Sequence, residues 1–177
     1  MTMYQILKYE QDYDWDTIWN EHPKEYSTVV IYDKKFKCPR WIQAYGKDYA
    51  YSGQVAKSLP VTSWLEPFLV KAKTISPTVN GILANWYDGA LKHKIGAHRD
   101  NEKGLTANTD IITISLGEER VFRFRKYKSN ENPIDIILQD KDILVIPYET
   151  NLAYTHEVPH LSKYQGKRIS LTFRTFK

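Results

Sequence analysis

The chain of 177 residues has the length of one ordinary domain, and its 26% charged and 42% hydrophobic residues exclude a disordered or low-complexity protein. The formal net charge of +4 permits nucleic-acid binding without indicating it, and the single cysteine excludes a disulfide framework and a zinc site built from cysteines. No apolar run approaches the roughly 18 residues of a membrane span, and the first residues mix charged and aromatic types. We therefore expect an intracellular protein, cytoplasmic or nuclear, with no signal or transit peptide.

Two helices are predicted in the N-terminal half of the chain. The first covers residues 15–21 and ends before Pro23. The second covers residues 63–75, where Thr62 and Ser63 suit an N-cap and Glu66 completes a capping box. Apolar residues then recur at helical spacing, which favours a helix with one buried face.

Elsewhere the hydrophobic residues recur with a period near two, which predicts strands. The predicted strands cover residues 27–32, 41–45, 82–87, 110–116, 119–125, 134–138, 142–146, 154–158 and 168–176. Short strands at this spacing favour an antiparallel sandwich, barrel or jelly roll with one or two helices packed outside. No alternation of strands and helices and no glycine-rich phosphate loop occurs in the sequence, so a nucleotide-cofactor fold has no support.

One histidine, His98, is followed two residues later by a carboxylate, Asp100. In an extended segment residues i and i+2 project to the same side, so both side chains can reach one ion. His156 lies in an apolar strand and is the best third ligand. Two histidines and one carboxylate that leave open positions are typical of non-haem Fe(II) oxygenases. The alternative for these residues is a surface pair of His98 with Asp100 and a hydrogen-bonded core histidine.

The last predicted strand alternates strictly between an apolar and a polar face. Its apolar face holds Ile169, Leu171 and Phe173, and its polar face holds Arg168, Ser170, Thr172 and Arg174. The two arginine Cα atoms lie about 20 Å apart at about 3.3 Å per residue, so their guanidinium groups can bracket a short dicarboxylate. Asn85 and Tyr87, also two residues apart, can hydrogen-bond to such a ligand. The alternatives are an edge strand with a solvated polar face and an ordinary strand with a packed tyrosine.

The order of these motifs, Asn-x-Tyr, His-x-Asp, His and Arg-x5-Arg, resembles that of the AlkB family of Fe(II)/2-oxoglutarate dioxygenases. Further similar segments are PRWIQAYG at 39–46, YAYSG at 49–53, NWYDG at 85–89, HRDNE at 98–102, SLG at 115–117 and HEVP at 156–159. The resemblance covers residues 28–176 and is strongest to the branch that demethylates DNA and RNA bases.

The resemblance implies a fold that is mainly β with flanking helices (α+β) and has a double-stranded β-helix, or jelly-roll, core. The single domain would span residues 1–177, with a substrate-lid and helical part at 1–80 and the jelly-roll catalytic core at 81–177. His98, Asp100 and His156 would hold Fe(II) and form the catalytic centre, with O2 as the oxidant. The residues that would bind the cosubstrate 2-oxoglutarate are Asn85, Tyr87, Arg168, Ser170, Thr172 and Arg174.

The implied reaction removes N-alkyl groups of the 1-methyladenine or 3-methylcytosine type from DNA or RNA and releases formaldehyde, succinate and CO2. The substrate would be bound by Tyr32, Asp33, Arg40, Tyr49, Tyr51, Asn101 and Glu102. Tyr32 and Asp33 lie where repair members carry a hairpin that enters the duplex, and Tyr51 lies where a flipped base can stack against His98.

Two basic strips are candidates for phosphate contacts. The first consists of Lys34, Lys35, Lys37 and Arg40, and the second of Arg123, Arg125, Lys126 and Lys128. The alternatives are tyrosines packed in half-buried strands and lysines that are simply solvated.

Three departures from the family pattern leave details open. Asn101 replaces a second acidic residue that helps to recognise the base, Ser170 replaces an asparagine, and the lid after Gly46 is about two residues short. We expect a monomer with no obligate protein partner. Two other functions stay open: the same oxygenase acting on a protein side chain, a lipid or a small molecule, and a non-catalytic domain that binds nucleic acid.

Overall fold

The computed structural model describes residues 2–51, 53–100 and 103–177, so the predicted substrate residues Asn101 and Glu102 lie outside the described part of the chain. Fifteen strands and three α-helices occur in the described residues. In chain order they are β1 (Gln5–Lys8), α1 (Trp15–Asn20), β2 (Thr28–Ile31), β3 (Lys34–Lys37), β4 (Trp41–Tyr45), β5 (Tyr49–Tyr51), β6 (Gln54–Ala56), β7 (Ser58–Leu59), α2 (Glu66–Ile75), β8 (Gly81–Asp88), β9 (Ile95–His98), β10 (Ile111–Gly117), β11 (Arg120–Lys126), β12 (Ile134–Leu138), β13 (Asp142–Ile146), α3 (Tyr148–Ala153), β14 (Tyr154–Val158) and β15 (Lys167–Arg174).

Two main sheets form the core. The larger has seven strands in the order β1-β13-β10-β15-β8-β4-β7, and the smaller has four in the order β12-β11-β14-β9. All of these pairings are antiparallel except the short parallel pair of β4 and β7. Two sheets whose neighbours are mostly distant in sequence are the arrangement of a jelly roll, as the sequence predicts.

Strand β15 lies at the centre of the larger sheet, between β10 and β8. Its apolar residues Ile169, Leu171 and Phe173 are fully buried in the core on the outer face of this sheet, where helices α1 and α2 also pack. Its polar residues from Arg168 to Arg174 are buried as well. The alternative of a solvated edge strand is therefore wrong, because both faces of β15 are covered and both of its edges are paired.

The inner face of the larger sheet turns towards the smaller sheet. At one end the gap is filled by a second apolar cluster that includes Phe122, Phe124 and Leu144. Towards the other end the inward residues are polar, and a cavity of about 550 Å³ remains between the sheets. Apolar packing at one end therefore holds the two sheets together while the other end stays open for a ligand.

Two small sheets lie beside the mouth of this cavity. β2 and β3 form a hairpin that pairs with no third strand among the described residues, and β5 pairs with β6. The sequence predicts β2 but not β3, β5 or β6. In the described part of the chain no helix is long and apolar enough to cross a membrane.

The predicted capping box at the start of α2 is wrong. The helix begins at Glu66, its N-cap is Leu65, and no side chain among the described residues caps it. The backbone carbonyl of Thr62 instead accepts hydrogen bonds from the N–H groups of Leu65 and Glu66, at 3.0 and 3.3 Å. Leu65 is fully buried in the core, so the preceding turn is set by packing rather than by a polar cap.

Candidate active site

Three side chains that can bind a metal ion meet at the base of the cavity. One ligand atom each from His98, Asp100 and His156 lies within 4.8 Å of the others. His98 ends β9 and lies directly opposite His156 of β14 in the antiparallel pairing. The Nε2 atoms of the two histidines lie 3.6 and 4.0 Å from Oδ1 of Asp100. The strand pairing thus brings together residues that are 58 positions apart in the sequence.

Both histidines are in the state that a metal ligand requires. Nδ1 of His98 donates a hydrogen bond to the Gly96 carbonyl at 2.8 Å, which leaves the Nε2 lone pair directed at the cluster. Burial lowers the pKa of His98 below its ordinary value. Burial, together with the nearby His98, lowers the pKa of His156 to about 3. Both rings are therefore neutral at physiological pH and can donate a lone pair.

Asp100 supplies the negative charge of the cluster. Its Oδ2 accepts a hydrogen bond of 2.8 Å from Nε of Arg174. Burial alone would raise the pKa of this carboxyl, but Arg174 and the two histidines outweigh burial and hold the pKa well below its usual range. Its Oδ1 is buried and has no hydrogen-bond partner among the described residues. A buried, ionised oxygen that faces two neutral imidazoles fits a divalent cation, and this donor set suits Fe(II).

The backbone of Asp100 is held by Asn151, which the sequence analysis missed. The Asp100 N–H donates to Oδ1 of Asn151 at 2.9 Å, and Nδ2 of Asn151 donates to the Asp100 carbonyl at 2.5 Å. Asn151 is 3% exposed and lies in α3, five residues before His156. The pair of hydrogen bonds therefore ties the segment that carries Asp100 to the segment that carries His156.

Five of the six residues predicted to bind the cosubstrate line the cavity. They are Asn85, Tyr87, Ser170, Thr172 and Arg174. The hydroxyl groups of Thr172 and its cross-strand neighbour Thr113 lie 3.3 Å apart, so Thr113 belongs to the same wall. The wall is thus built from inward residues of three adjacent strands, β8, β15 and β10.

The sixth predicted residue, Arg168, is buried behind this wall. Its Nη2 donates to Oγ of Ser115 at 2.8 Å, and its guanidinium lies 5.4 Å from the centre of the Tyr87 ring. Its Nε and Nη1 have no hydrogen-bond partner in the part of the chain that the structure describes. Burial lowers the pKa of Arg168 to about 10, so it is still a cation at neutral pH. A buried cation with unused donors fits one carboxylate of a dicarboxylic acid.

Arg40 has a different environment from the predicted one. It is 7% exposed, and its Nε donates to Oδ1 of Asn85 at 2.7 Å. The Arg40 guanidinium therefore lies in the cavity wall and not among the exposed lysines of the first predicted strip. There it orients the Asn85 amide.

Two of the predicted substrate tyrosines, Tyr49 and Tyr51, line the cavity. Their ring centres lie 6.0 Å apart, and the Arg174 guanidinium lies 4.8 Å from the Tyr49 ring. The hairpin contributes Val29 and Ile31 to the same wall.

At the tip of the hairpin, Tyr32 and Asp33 have φ angles of +48° and +61°. Tyr32 is 95% exposed. A bulky residue with positive φ is strained, and such strain is often found at functional sites.

The second predicted phosphate strip is largely neutralised. Arg123 forms two hydrogen bonds with Asp135, at 2.6 and 2.8 Å. Arg125 pairs with Glu157 at 2.8 Å, and Lys126 pairs with Glu131 at 2.9 Å. Carboxylates of neighbouring strands and turns therefore pair with three of the four cations of this strip.

Comparisons with known proteins agree with this geometry. The profile of the 2OG-Fe(II) oxygenase superfamily matches residues 6–174. The chain is 30% identical over 157 residues to the DNA oxidative demethylase ALKBH2 of Bos taurus, covering 82% of this chain and 56% of that protein. The human ALKBH2 is also 30% identical, with 82% of this chain and 60% of that protein covered.

The mouse alpha-ketoglutarate-dependent dioxygenase alkB homolog 3 is 28% identical over 180 residues, with 94% of this chain and 62% of that protein covered. The chain thus spans little more than half the length of these curated relatives. The solved structure of OsALKBH1 superposes with a TM-score of 0.68 at 14% identity and covers 98% of both chains, which shows a shared fold.

The family uses Fe(II), 2-oxoglutarate and O2, and the cluster of His98, Asp100 and His156 provides the metal-binding group. The profile match covers nearly the whole chain, and the relatives at about 30% identity are AlkB proteins. The chain belongs to the 2OG-Fe(II) oxygenase superfamily and is similar within it to AlkB proteins.

Proposed function

We propose that the protein is an Fe(II)- and 2-oxoglutarate-dependent demethylase that removes N-alkyl groups of the 1-methyladenine or 3-methylcytosine type from DNA or RNA. This proposal rests on one observation: a single cavity is lined by polar residues suited to a metal and a dicarboxylate and also by aromatic residues suited to a base. The metal cluster and the dicarboxylate wall lie at its base, and tyrosines and an exposed hairpin surround its mouth. The relatives named DNA oxidative demethylase support the same substrate class.

The side chains at the base have separate roles in this proposal. His98, Asp100 and His156 hold Fe(II), and Arg174 keeps Asp100 ionised through its 2.8 Å hydrogen bond. Arg168 binds the distal carboxylate of 2-oxoglutarate, while Asn85, Tyr87, Ser170 and Thr172 orient the rest of the cosubstrate. When bound, iron and cosubstrate supply the oxidation, in which O2 is consumed, 2-oxoglutarate becomes succinate and CO2, and the hydroxylated N-methyl group leaves as formaldehyde.

The side chains at the mouth position the base. A base must leave its stack to reach a metal at the bottom of a cavity, and a flipped base is held between flat side chains. Tyr51 supplies one such face and His98, which also lines the cavity, supplies the other. Tyr32 and Asp33 at the hairpin tip fill the gap that the base leaves in a duplex. The lysines of β3 are exposed and neutralise phosphates beside it.

The test is direct demethylation. The protein is incubated with Fe(II), 2-oxoglutarate, ascorbate and oligonucleotides that carry 1-methyladenine or 3-methylcytosine, single- and double-stranded, and methyl loss is read by mass spectrometry. We expect loss of one methyl group per lesion together with one formaldehyde. If 2-oxoglutarate is converted to succinate but no oligonucleotide loses a methyl group, the substrate is wrong while the cofactors are right.

Two further measurements refine the proposal. His98→Ala loses both methyl removal and 2-oxoglutarate turnover, because a ligand to the metal is gone. Oligonucleotide affinity falls steeply with salt if phosphates are bound, whereas weak and salt-insensitive binding favours a protein, lipid or small-molecule substrate. Action as a monomer without an obligate protein partner, in the cytoplasm or nucleus, is part of the same proposal.

A further inference from the structure

An arginine and a tyrosine are stacked on each other at the rim of the cavity. The Arg99 guanidinium carbon lies 3.8 Å from the centre of the Tyr127 ring, which is 43% exposed. Nη1 of Arg99 also donates to the Leu152 carbonyl at 2.9 Å. A ring face and a carbonyl thus fix the guanidinium in one orientation, although it is only half-buried. We call Arg99 and Tyr127 the rim pair.

The rim pair differs from its basic neighbours in charge balance. On β11, the strand that ends just before Tyr127, Arg123, Arg125 and Lys126 are each paired with a carboxylate. Within residues 2–51, 53–100 and 103–177, no carboxylate lies within ion-pair distance of Arg99 or of Lys128, whose Nζ is 5.4 Å from the same tyrosine ring. Among the described residues, the unpaired positive charge at this end of the small sheet therefore lies at the rim pair and the neighbouring Lys128.

The position of the rim pair connects it to the metal cluster. Arg99 lies between the ligands His98 and Asp100 in the sequence, and it is one of the residues that line the same cavity as His98. A polymer whose reactive base occupies the cavity must pass over the rim. An oriented guanidinium matches the geometry of a phosphate and keeps its charge at any physiological pH.

We propose that the rim pair binds a phosphodiester group of the substrate strand next to the base in the cavity. This rests on the proposed function, because it assumes that the occupant of the cavity is a nucleotide within a strand. Arg99 makes the charged contact. Tyr127 holds Arg99 ready for that contact, so less side-chain freedom is lost when the strand binds.

The experiment measures strand affinity rather than turnover. The full chain is loaded with Mn(II) and 2-oxoglutarate, and binding of single-stranded DNA and RNA oligonucleotides, with and without 3-methylcytosine, is followed by fluorescence anisotropy over a range of salt concentrations. Arg99→Ala is expected to raise Kd about tenfold, the effect of one lost hydrogen bond to a charged group. The slope of log Kd against log salt is expected to fall by about 0.7, the value for one phosphate contact on a single strand.

Variants at two other positions test whether a loss of strand affinity is specific to the rim pair. Because Arg99 lies between metal ligands, Tyr127→Ala tests the pair from a distance and is expected to weaken binding in the same direction, whereas Tyr127→Phe keeps the ring and the affinity. Arg123→Ala is the matched control, since it removes a surface arginine that is already paired with Asp135. Its Kd is expected to stay within about twofold of the unchanged protein, as is usual for exposed ion pairs.

Three outcomes overturn the proposal: an unchanged Kd in both Arg99→Ala and Tyr127→Ala, an equal loss in Arg123→Ala, or a salt slope that does not change when Arg99 is removed. The failure of the proposed reaction looks different. If oligonucleotides bind through the rim pair but none is demethylated, the reaction is wrong and the strand site remains. If they are demethylated with no dependence on Arg99 or Tyr127, the reaction remains and the strand site is wrong.

Discussion

The two walls of the cavity are held in place in different ways. The cosubstrate wall lies on β8, β10 and β15, which have paired neighbours on both sides, and Asn85, Ser170 and Arg174 are all about 5% exposed. The hairpin wall lies on β2 and β3, which pair only with each other among the described residues, and every residue of β3 is exposed. An isolated two-stranded hairpin is marginally stable in water, whereas a central strand of a seven-stranded sheet is not free to move.

This difference matches the demands of the two kinds of ligand in the proposed function. The metal and a small dicarboxylate have fixed shapes, so their ligands gain from being rigid and already in place. A nucleic-acid strand varies in sequence and conformation, so a wall that can adjust is an advantage. Substitutions in the rigid wall should therefore remove activity outright, and substitutions in the hairpin should change substrate preference.

The largest effect is expected from Asp100→Asn. The amide is isosteric but neutral, so the two histidines lose the anionic ligand and Arg174 loses its charged acceptor. Affinity for Mn(II), measured by calorimetry, is expected to fall by more than about 100-fold. This is a larger loss than the removal of a residue that only orients a metal ligand would cause. Asp135→Asn removes a surface carboxylate and serves as the control. A metal affinity within a few-fold of the original would exclude Asp100 as a ligand.

A smaller effect, at the same metal cluster, is expected from Asn151→Ala. The Asp100 side chain remains, but its backbone loses both hydrogen bonds to the asparagine amide. Mn(II) affinity is expected to fall about 10- to 100-fold, as for other groups that orient a metal ligand. The d–d spectrum of bound Co(II) should also change, because the ligand geometry relaxes.

Asn80→Ala is a control for the type of hydrogen bond that is removed. Asn80 also forms two hydrogen bonds with the backbone of one residue, Phe176, at 2.9 and 2.8 Å, and Phe176 is not a metal ligand. Asn151→Ala should lose about 1 to 3 kcal/mol of stability, because it leaves buried groups without partners, and Asn80→Ala should lose less, because its hydrogen bonds are exposed. Only Asn151→Ala should lose metal affinity. Equal metal affinities in the two variants would show that Asn151 has only a structural role.

The residues of the rigid wall were largely predictable from the sequence, because the alternation of residues within a single strand assigns each side chain to a face. In β15 the alternation of apolar and polar residues assigns each side chain to one face, and His98 with Asp100 shares a face by the same rule. The rule also holds for Thr113 and Ser115, which alternate with buried isoleucines on β10, so these two residues could have been found in the same way.

The remaining features depend on contacts that no local pattern encodes. Asn151 acts on a residue 51 positions away, so only the folded chain reveals its role. β3 carries three lysines and one phenylalanine and has no apolar alternation; it is a strand because a two-residue turn brings it against β2. The ion pairs of Arg123, Arg125 and Lys126 likewise depend on which strands and turns are neighbours.

The hairpin wall is tested at its tip by Tyr32→Asn. Asparagine tolerates positive φ better than tyrosine, so the free energy of unfolding is expected to rise by up to about 1 kcal/mol. The exposed ring that would fill the gap in a duplex is lost, so the ratio of double-stranded to single-stranded demethylation is expected to fall several-fold. Tyr32→Phe keeps the ring and should keep the ratio. An unchanged ratio in Tyr32→Asn would remove Tyr32 from the substrate site.

The smallest effect concerns the anchor of the hairpin, where His93 meets Tyr26 just before β2. The Asp88 N–H donates to Nδ1 of His93 at 2.9 Å, so Nε2 carries the proton and donates to the Tyr26 hydroxyl at 2.8 Å. Burial lowers the pKa of His93, with Arg120 and Arg40 acting in the same direction and Asp88 opposing them. A second proton would have to bind at Nδ1, and this would break the hydrogen bond that Nδ1 accepts from the Asp88 N–H.

Because the pKa of His93 is lower in the folded chain than its ordinary value of 6.5, the unfolded chain binds the proton first as the pH falls. Stability from this group is therefore complete above pH 6.5 and is lost below it, at no more than about 1.4 kcal/mol per pH unit. His93→Gln cannot titrate, so the difference between the two unfolding curves isolates this group. Protection from hydrogen exchange, corrected for the slower intrinsic exchange in acid, is expected to fall in residues 24–37 before it falls in β15. A simultaneous fall in both segments would mean that the hairpin is anchored as firmly as the central strands.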